Sequence, residues 1–165
     1  MNKRYSGTIA WDPELKTSDQ IAYLPELAIL PVGVKVEEWV CWFHGIQPSR
    51  LKDYAPNYLK SGPFAIDDLL QRRLATLSKG QLQKVQIWQS LYHNPKAVLF
   101  DEPFSGLDPW HKKELIKLML DLSQAASLLI STHEIPAEFE QANTRIWLID
   151  QQKQIRSTTL SEFRP

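Results

Sequence analysis

Cysteine is nearly absent. Cys41 is the one thiol in 165 residues, so no disulfide forms within the chain, and a cytoplasmic setting is the simple reading. An excess of charge of one sign is also lacking. Nineteen Lys and Arg balance nineteen Asp and Glu, which leaves no electrostatic footprint for nucleic acid or for an anionic membrane surface. No apolar run approaches the roughly twenty residues needed to cross a bilayer. The basic residues 1–5 are not followed by the apolar stretch of a signal peptide. Glycine is scarce, and none of Gly7, Gly33, Gly45, Gly62, Gly80 and Gly106 is followed by Lys. The loop G-x-x-x-x-G-K-[ST], whose backbone N–H groups and lysine cradle phosphates, therefore does not occur. Internal repeats and low-complexity tracts are missing too.

What remains is an ordinary globular composition: 43% hydrophobic and 23% charged residues, enough for one domain with a real core. Its organising stretch is Leu77-Ser78-Lys79-Gly80-Gln81. Ser78 and Gln81 form S-x-x-Q, a capping box that predicts a helix start. Leu82, Val85, Trp88 and Leu91 follow at spacings of three, which is one buried helix face. Pro95 closes the helix. Ala97-Val98-Leu99-Phe100 then reads as a central strand buried on both faces, and it delivers Asp101 and Glu102 at its C-terminal end. In open α/β sheets that end is where ligands bind. Taken singly, each piece has an ordinary meaning: S-x-x-Q opens many helices, and a strand ending in Asp-Glu is often a strand meeting solvent.

The order of the pieces is more specific. Ser105-Gly106-Leu107-Asp108 follows the carboxylates, and Leu128-Leu129-Ile130-Ser131-Thr132-His133 comes later. Together these resemble the ATP-binding-cassette (ABC) ATPases. Residues 77–81 look like the family signature L-S-G-G-Q, 98–102 like Walker B, 105–108 like the D-loop, and His133 like the switch histidine. Tyr23-Leu24-Pro25-Glu26 is similar to the Q-loop region, with Glu26 in place of the commoner Gln. Lys79 stands where glycine is usual, and it either adds charge near phosphate or points to solvent. The resemblance covers nearly the whole chain but only the later two-thirds or so of a cassette, without Walker A.

The resemblance implies an α/β fold like that of P-loop NTPases: a mostly parallel sheet with helices on both faces and an inserted helical subdomain, short of its N-terminal strands and P-loop. Residues 5–33 would hold core strands and the Q-loop region, 34–76 the helical subdomain, and 77–157 the signature, Walker B, D-loop and switch. Within this frame, residues 5–12 and 21–24 read as strands. Three helices are expected between 34 and 75. The first has Val36, Trp39, Val40 and Phe43 on one face; the second is capped by Ser49; the third begins at Pro63. A helix from Pro109 to about Ala125 buries Leu115, Leu118, Met119 and Leu122. Pro136 opens a short helix containing Phe139. Residues 145–150 and 153–156 read as a hairpin. Cys41 reads as plain core, and His44, His93 and His111 have no motif around them.

The resemblance also implies roles. Asp101 would hold Mg²⁺, Glu102 would activate the attacking water, and His133 would contact the γ-phosphate. Ser78, Lys79, Gly80 and Gln81 would face the ATP held by a second ABC ATPase subunit, identical or different, with Glu26 and Asp108 also near nucleotide. ATP and Mg²⁺ are the expected ligands, and a membrane-embedded transporter subunit the expected partner. The location would be cytoplasmic, peripheral to the membrane, and the activity ATP hydrolysis coupled to transport. Without a P-loop, the chain alone is expected to bind ATP very weakly and to be inactive, the missing segment being either an artefact of start-codon choice or genuine. A second reading is a non-catalytic short form that supplies its signature helix or a docking surface to a full-length partner. A third, a soluble ABC protein of translation or repair, fits less well, because tandem cassettes and long coiled-coil insertions are not seen.

Overall fold

A computed structural model describes residues 20–26, 30–31, 33–141, 146–149 and 155–158. Three parallel strands form the sheet: β1 (Ile21–Leu24), β2 (Ala97–Asp101) and β3 (Ser127–Ser131), in the order β1-β2-β3. The register aligns Leu24, Phe100 and Ile130 across the sheet and pairs Asp101 with Ser131. Side chains alternate between the two faces of a strand. On one face Ala22, Leu24, Val98 and Phe100 are buried. On the other, Tyr23 and Leu129 are more than half exposed, at 57% and 53%. The central strand is thus buried on one face and half-buried on the other, not on both as its unbroken apolar run predicts.

The long helices form where local signals are strongest. α4 (Lys79–Leu91) starts at Ser78, whose hydroxyl accepts from the Gln81 N–H at 3.2 Å while the Gln81 side chain accepts from the Ser78 N–H at 3.0 Å. Val85, Trp88 and Leu91 are buried, and so are Ile87, Gln83 and Gln86. α4 lies against β1, with the Ser90 hydroxyl donating to the Tyr23 carbonyl at 3.2 Å. α5 (Pro109–Leu122) is capped by Asp108 and buries Leu115, Ile116, Met119 and Leu122. Leu118 is only partly covered. α5 connects β2 to β3, making a strand–helix–strand unit.

Between β1 and α4 the backbone is more irregular than the sequence pattern predicts. α1 (Val36–His44) forms, but its buried positions are Val36, Val40 and Cys41; Phe43 is 55% exposed. Ser49 caps nothing. Pro48–Arg50 is a 3₁₀ turn, followed by α2 (Leu51–Tyr54) and α3 (Asn57–Lys60). Pro56 separates them, because it lacks an N–H and pushes Ala55 into extended backbone (ψ 135°). The helix expected from Pro63 is a series of turns instead, with Ala65, Leu69 and Arg72 N–H groups each bonding a carbonyl three residues back. The cause is tertiary. The Leu70 and Arg72 carbonyls accept from the Glu37 and Val36 N–H groups, both at 3.0 Å, and so satisfy the orphan donors at the start of α1. Phe64, Ile66 and Leu69 are still buried, as their apolar character predicts.

Residues 137–141 form a 3₁₀ helix with Phe139 buried. β4 (Ile146–Ile149) and β5 (Ile155–Thr158) pair antiparallel, which is the expected hairpin shifted by a residue or two. The strand expected over 5–12 lies outside the described residues. Among the described residues no helix is long and apolar enough to cross a membrane.

Candidate functional site

Two polar clusters meet the loop that leaves β2. The first sits at the C-terminal edge of the sheet. Asp101, the last residue of β2, is half-buried. Its Oδ1 accepts from the Ser131 hydroxyl at 2.5 Å and its Oδ2 from the Tyr23 hydroxyl at 3.4 Å, so one carboxylate gathers a group from each neighbouring strand. The Tyr23 hydroxyl is held above its ordinary range by the slight desolvation of its oxygen and then by the adjacent carboxylate charge. Parallel pairing of Asp101 with Ser131 is what makes the shorter contact.

Glu102 departs from the strand. Its N–H still bonds the Ser131 carbonyl at 2.9 Å, but its φ is +46°, in the left-handed region. For a residue with a β-carbon that conformation is strained by order 1–3 kcal/mol. Past the turn the Glu102 side chain meets the loop after β3. Its Oε2 lies 2.9 Å from His133 Nδ1, with the carboxylate largely covered and the imidazole 82% exposed. Two adjacent carboxylates therefore serve different neighbours, one the sheet edge and one the loop after β3.

That loop is itself held. The Glu134 N–H bonds the Thr132 hydroxyl at 3.2 Å, and the same hydroxyl donates to the Glu134 carbonyl at 3.0 Å. Glu134 Oε1 pairs with Lys112 of α5 at 2.6 Å, and Lys112 lies 5.6 Å from the centre of the Phe104 ring. The hydrogen bond from Lys112, followed by its charge, depresses the Glu134 carboxyl below its ordinary range. His133 thus stands on a loop braced by α5.

The second cluster joins the start of α4 to the loop after Glu102. The Gln81 Oε1 accepts from Arg72 at 3.1 Å besides closing the capping box. Lys79 Nζ donates to the Ser105 hydroxyl at 3.0 Å, an alternative to both phosphate and open solvent. Gly80 faces the Gly106 carbonyl; a β-carbon on Gly80 would lie 3.5 Å from that oxygen, an ordinary contact. The buried Gln83 amide donates to the Pro103 carbonyl at 3.1 Å. Asp108 accepts from the Trp110 and His111 N–H groups at 3.0 Å each and meets His111 Nδ1 at 2.6 Å. The His111 backbone bond, and next its ring, pull the Asp108 carboxyl below its ordinary range.

Of the residues singled out from sequence, Asp101, Glu102 and His133 are brought to one edge, and Ser78, Lys79, Gly80, Gln81 and Asp108 flank the loop that begins there. Glu26 lies exposed at a bend two residues past β1, and none of the bonds above involves it. The partners that sequence reasoning passed over are Tyr23 as a phenol, Ser131, Ser105, Gln83, Lys112 and Glu134. Only Ser131 had a usable signal, the strand register that sets it opposite Asp101.

The donor set suits a hard divalent cation that takes most of its ligands elsewhere. Among the described residues no group of three or more His, Cys, Asp or Glu converges. A lone carboxylate with hydroxyl neighbours fits Mg²⁺ bound through one or two protein oxygens, water and substrate phosphate, not an all-protein cage.

Comparison with known proteins adds the following. Residues 43–140 match the family described as "AAA domain, putative AbiEii toxin, Type IV TA system". An uncharacterized ABC transporter ATP-binding protein of Alkalihalophilus pseudofirmus is 31% identical over 134 residues, covering 78% of this chain and 50% of that one. The ABC-type transporter ATP-binding protein EcsA of Bacillus subtilis is 32% identical, covering 95% and 64%. A solved structure of the ATP-binding subunit of an ABC transporter superposes with a TM-score of 0.69 at 27% identity, covering 91% of this chain and 63% of that one. The chain spans about half the length of the first curated relatives it matches.

Proposed function

Because this chain belongs to the ATP-binding-cassette transporter ATPases, we propose that it works as part of an ATP-hydrolysing subunit, in a head-to-tail pair that drives transport across a membrane. The observation that carries this reading is the Glu102–His133 contact at 2.9 Å beside Asp101 on one sheet edge. ATP hydrolysis needs a positioned water, a group to take its proton, and charge to stabilise the phosphoryl group in flight. Glu102 polarises the water and receives its proton. His133, exposed on its braced loop, reaches outward to the γ-phosphate while its other face is oriented by Glu102. Asp101 holds Mg²⁺, directly or through water; the ion neutralises phosphate charge when bound. Ser131 and Tyr23 keep the Asp101 carboxylate in place.

The capping box occupies the Ser78 and Gln81 N–H groups, so the start of α4 offers the N–H groups of Lys79 and Gly80, the Ser78 hydroxyl and the positive end of a helix dipole, which suits phosphate held by the opposite subunit. In this reading Gln81 and Asp108 act by shaping those two segments, and Glu26 reports on nucleotide from beyond β1. The 165 residues contain no Gly-Lys pair, so the phosphate cradle of the pocket is supplied by another polypeptide segment. ATP affinity of the 165-residue chain alone is then very weak. That same observation favours a second reading, in which the chain is non-catalytic and lends the start of α4 to a P-loop-bearing ATPase.

The test is Glu102→Gln in an assembly of this chain with a P-loop-bearing cassette. Turnover falls on the order of 10²-fold or more, the scale of general-base effects, while ATP still binds. Turnover within twofold of the parent sinks the catalytic reading and leaves the second. Tight ATP binding by the purified 165-residue chain in calorimetry contradicts both.

A further inference from the structure

We propose that Lys79 is a positioning residue whose side chain fastens the loop Glu102–Asp108 to the start of α4, so that the two segments move as one body. Three observations converge on it. Lys79 Nζ donates to the Ser105 hydroxyl at 3.0 Å, and the bond is charge-assisted. The methylene arm then lies across Gly106: a β-carbon there would sit 2.5 Å from Lys79 Cδ, 2.6 Å from Cε and 2.8 Å from Cγ. Gly106 also has φ +80°, a conformation that favours glycine. The space that a side chain would fill at residue 106 is therefore filled by Lys79.

The fastening has two points of different kind. Near the start of the loop, the buried Gln83 amide donates to the Pro103 carbonyl at 3.1 Å and sets the loop's base. At its tip, Lys79 to Ser105 is an exposed tie that opens without disturbing the core. Beyond the tip, Asp108 is engaged with α5 through its bonds to Trp110 and His111. Lys79 is thus the side chain that connects the tip to α4, and a hydrated ammonium on a flexible stem suits a tie that is made and released. What the joined body does rests on the ATPase reading above; whether it is joined does not.

The experiment measures amide hydrogen exchange of residues 104–108 in the purified 165-residue chain, together with ATP turnover in the assembly with a P-loop-bearing cassette. Lys79→Met keeps the arm and removes the donor; Ser105→Ala removes the acceptor; Lys79→Arg keeps a donor; Gly106→Ala expels the arm. Exchange rises about three- to tenfold in Lys79→Met and in Ser105→Ala, the net scale of one ordinary hydrogen bond, because water competes for this exposed tie. It rises no further in the double variant, returns toward the parent in Lys79→Arg, and rises in Gly106→Ala. In the assembly, kcat falls by a similar factor while KM for ATP stays constant. Unchanged exchange in Lys79→Met, additive effects in the double variant, or loosened exchange with kcat unmoved overturns the proposal. If the parent assembly hydrolyses no ATP while exchange behaves as expected, the fastening stands and the ATPase reading fails.

Discussion

Residues 34–77 and 78–131 are built on different principles. In the later region each element begins at its own signal. Ser78 caps α4, Asp108 caps α5, and β2 is a short apolar run ended by carboxylates. In the earlier region the backbone is pinned from outside. The Trp88 indole of α4 donates to the Leu59 carbonyl at 3.1 Å, and the Tyr92 hydroxyl, just past α4, to the Leu51 carbonyl at 3.1 Å. Trp39 on α1 donates to Gln89 at 2.8 Å. The difference teaches that α4 is both a locally specified helix and the template on which residues 34–77 take shape. It also places the candidate site on the region whose geometry is set closest to home.

The largest test of that comparison is Trp88→Ala. Trp88 is 3% exposed, and its ring lies 5.0 Å from that of Tyr92, tilted by 37°. Truncation removes a buried aromatic and costs about 3–5 kcal/mol, with denaturant midpoints as the measure. Hydrogen exchange sharpens the comparison: protection is lost chiefly over 51–60, while the first turn of α4, held by its own cap, keeps more. Equal loss across both regions breaks it.

Legibility from sequence follows the same division. The strands at 21–24, 97–101 and 127–131 and the helices α4 and α5 are written in short-range chemistry: apolar runs and periodicity find them, and for α4 the capping box does too. So is the meeting of Asp101 and Glu102 at a strand end. The turns at 63–72 are not legible, because the carbonyls of Leu70 and Arg72 serve α1, some thirty residues earlier. Phe43 reads as buried by spacing, yet the face that packs is set by Val36, Val40 and Cys41. At the site, the positive φ of Glu102 and the Lys79–Ser105 bond depend on segments brought together only by the folded sheet. A one-dimensional pattern has no means of recording them.

The next effect comes from the seam between the regions. His44, at the end of α1, has a half-buried ring 4.4 Å from that of Tyr92, and its Nδ1 is 3.1 Å from His93 Nε2. Burial, and next the His93 ring, push its pKa down to about 4, against a weaker opposing pull from the Gln89 backbone. The unfolded chain takes up the proton near the ordinary value of about 6.5. The fold resists it until about 4. Stability is therefore fully present above pH 6.5, declines as pH falls toward 4, and gains no further loss from this group below that. Each pH unit inside the window costs at most about 1.4 kcal/mol, an upper bound that solvent screening of the ring reduces. Subtracting the pH–stability curve of His44→Gln isolates the slope; a parent-minus-variant difference that is flat from pH 6.5 to 4 refutes it.

Ser78→Ala is smaller. It leaves the Gln81 N–H without its side-chain acceptor and should cost about 1 kcal/mol, the ordinary worth of an N-cap. Ser78→Gly should cost only a few tenths. Thermal melts of the two variants rank them. The comparison predicts that the loss shows in the first turn of α4 and in the Gln81–Arg72 bond, which links this cap to the earlier region.

The smallest effect is expected at Asp108, whose carboxylate is exposed and whose partners are all local. The bonds from His111, backbone first and then ring, lower its pKa below the ordinary carboxyl value, so the folded state favours the charged form. Its contribution is present above the unfolded pKa of about 4 and fades as pH falls through the lower, folded value. Asp108→Asn retains a good cap but has no charge to lose. The two proteins should therefore differ slightly near neutrality and converge in acid, as measured by thermal melts from pH 6 to pH 2. Because each bond of the Asp108 carboxylate stays within three residues, the change should not reach β3 or α4. An acid-dependent loss of protection in either would mean that the later region is less self-contained than its caps imply.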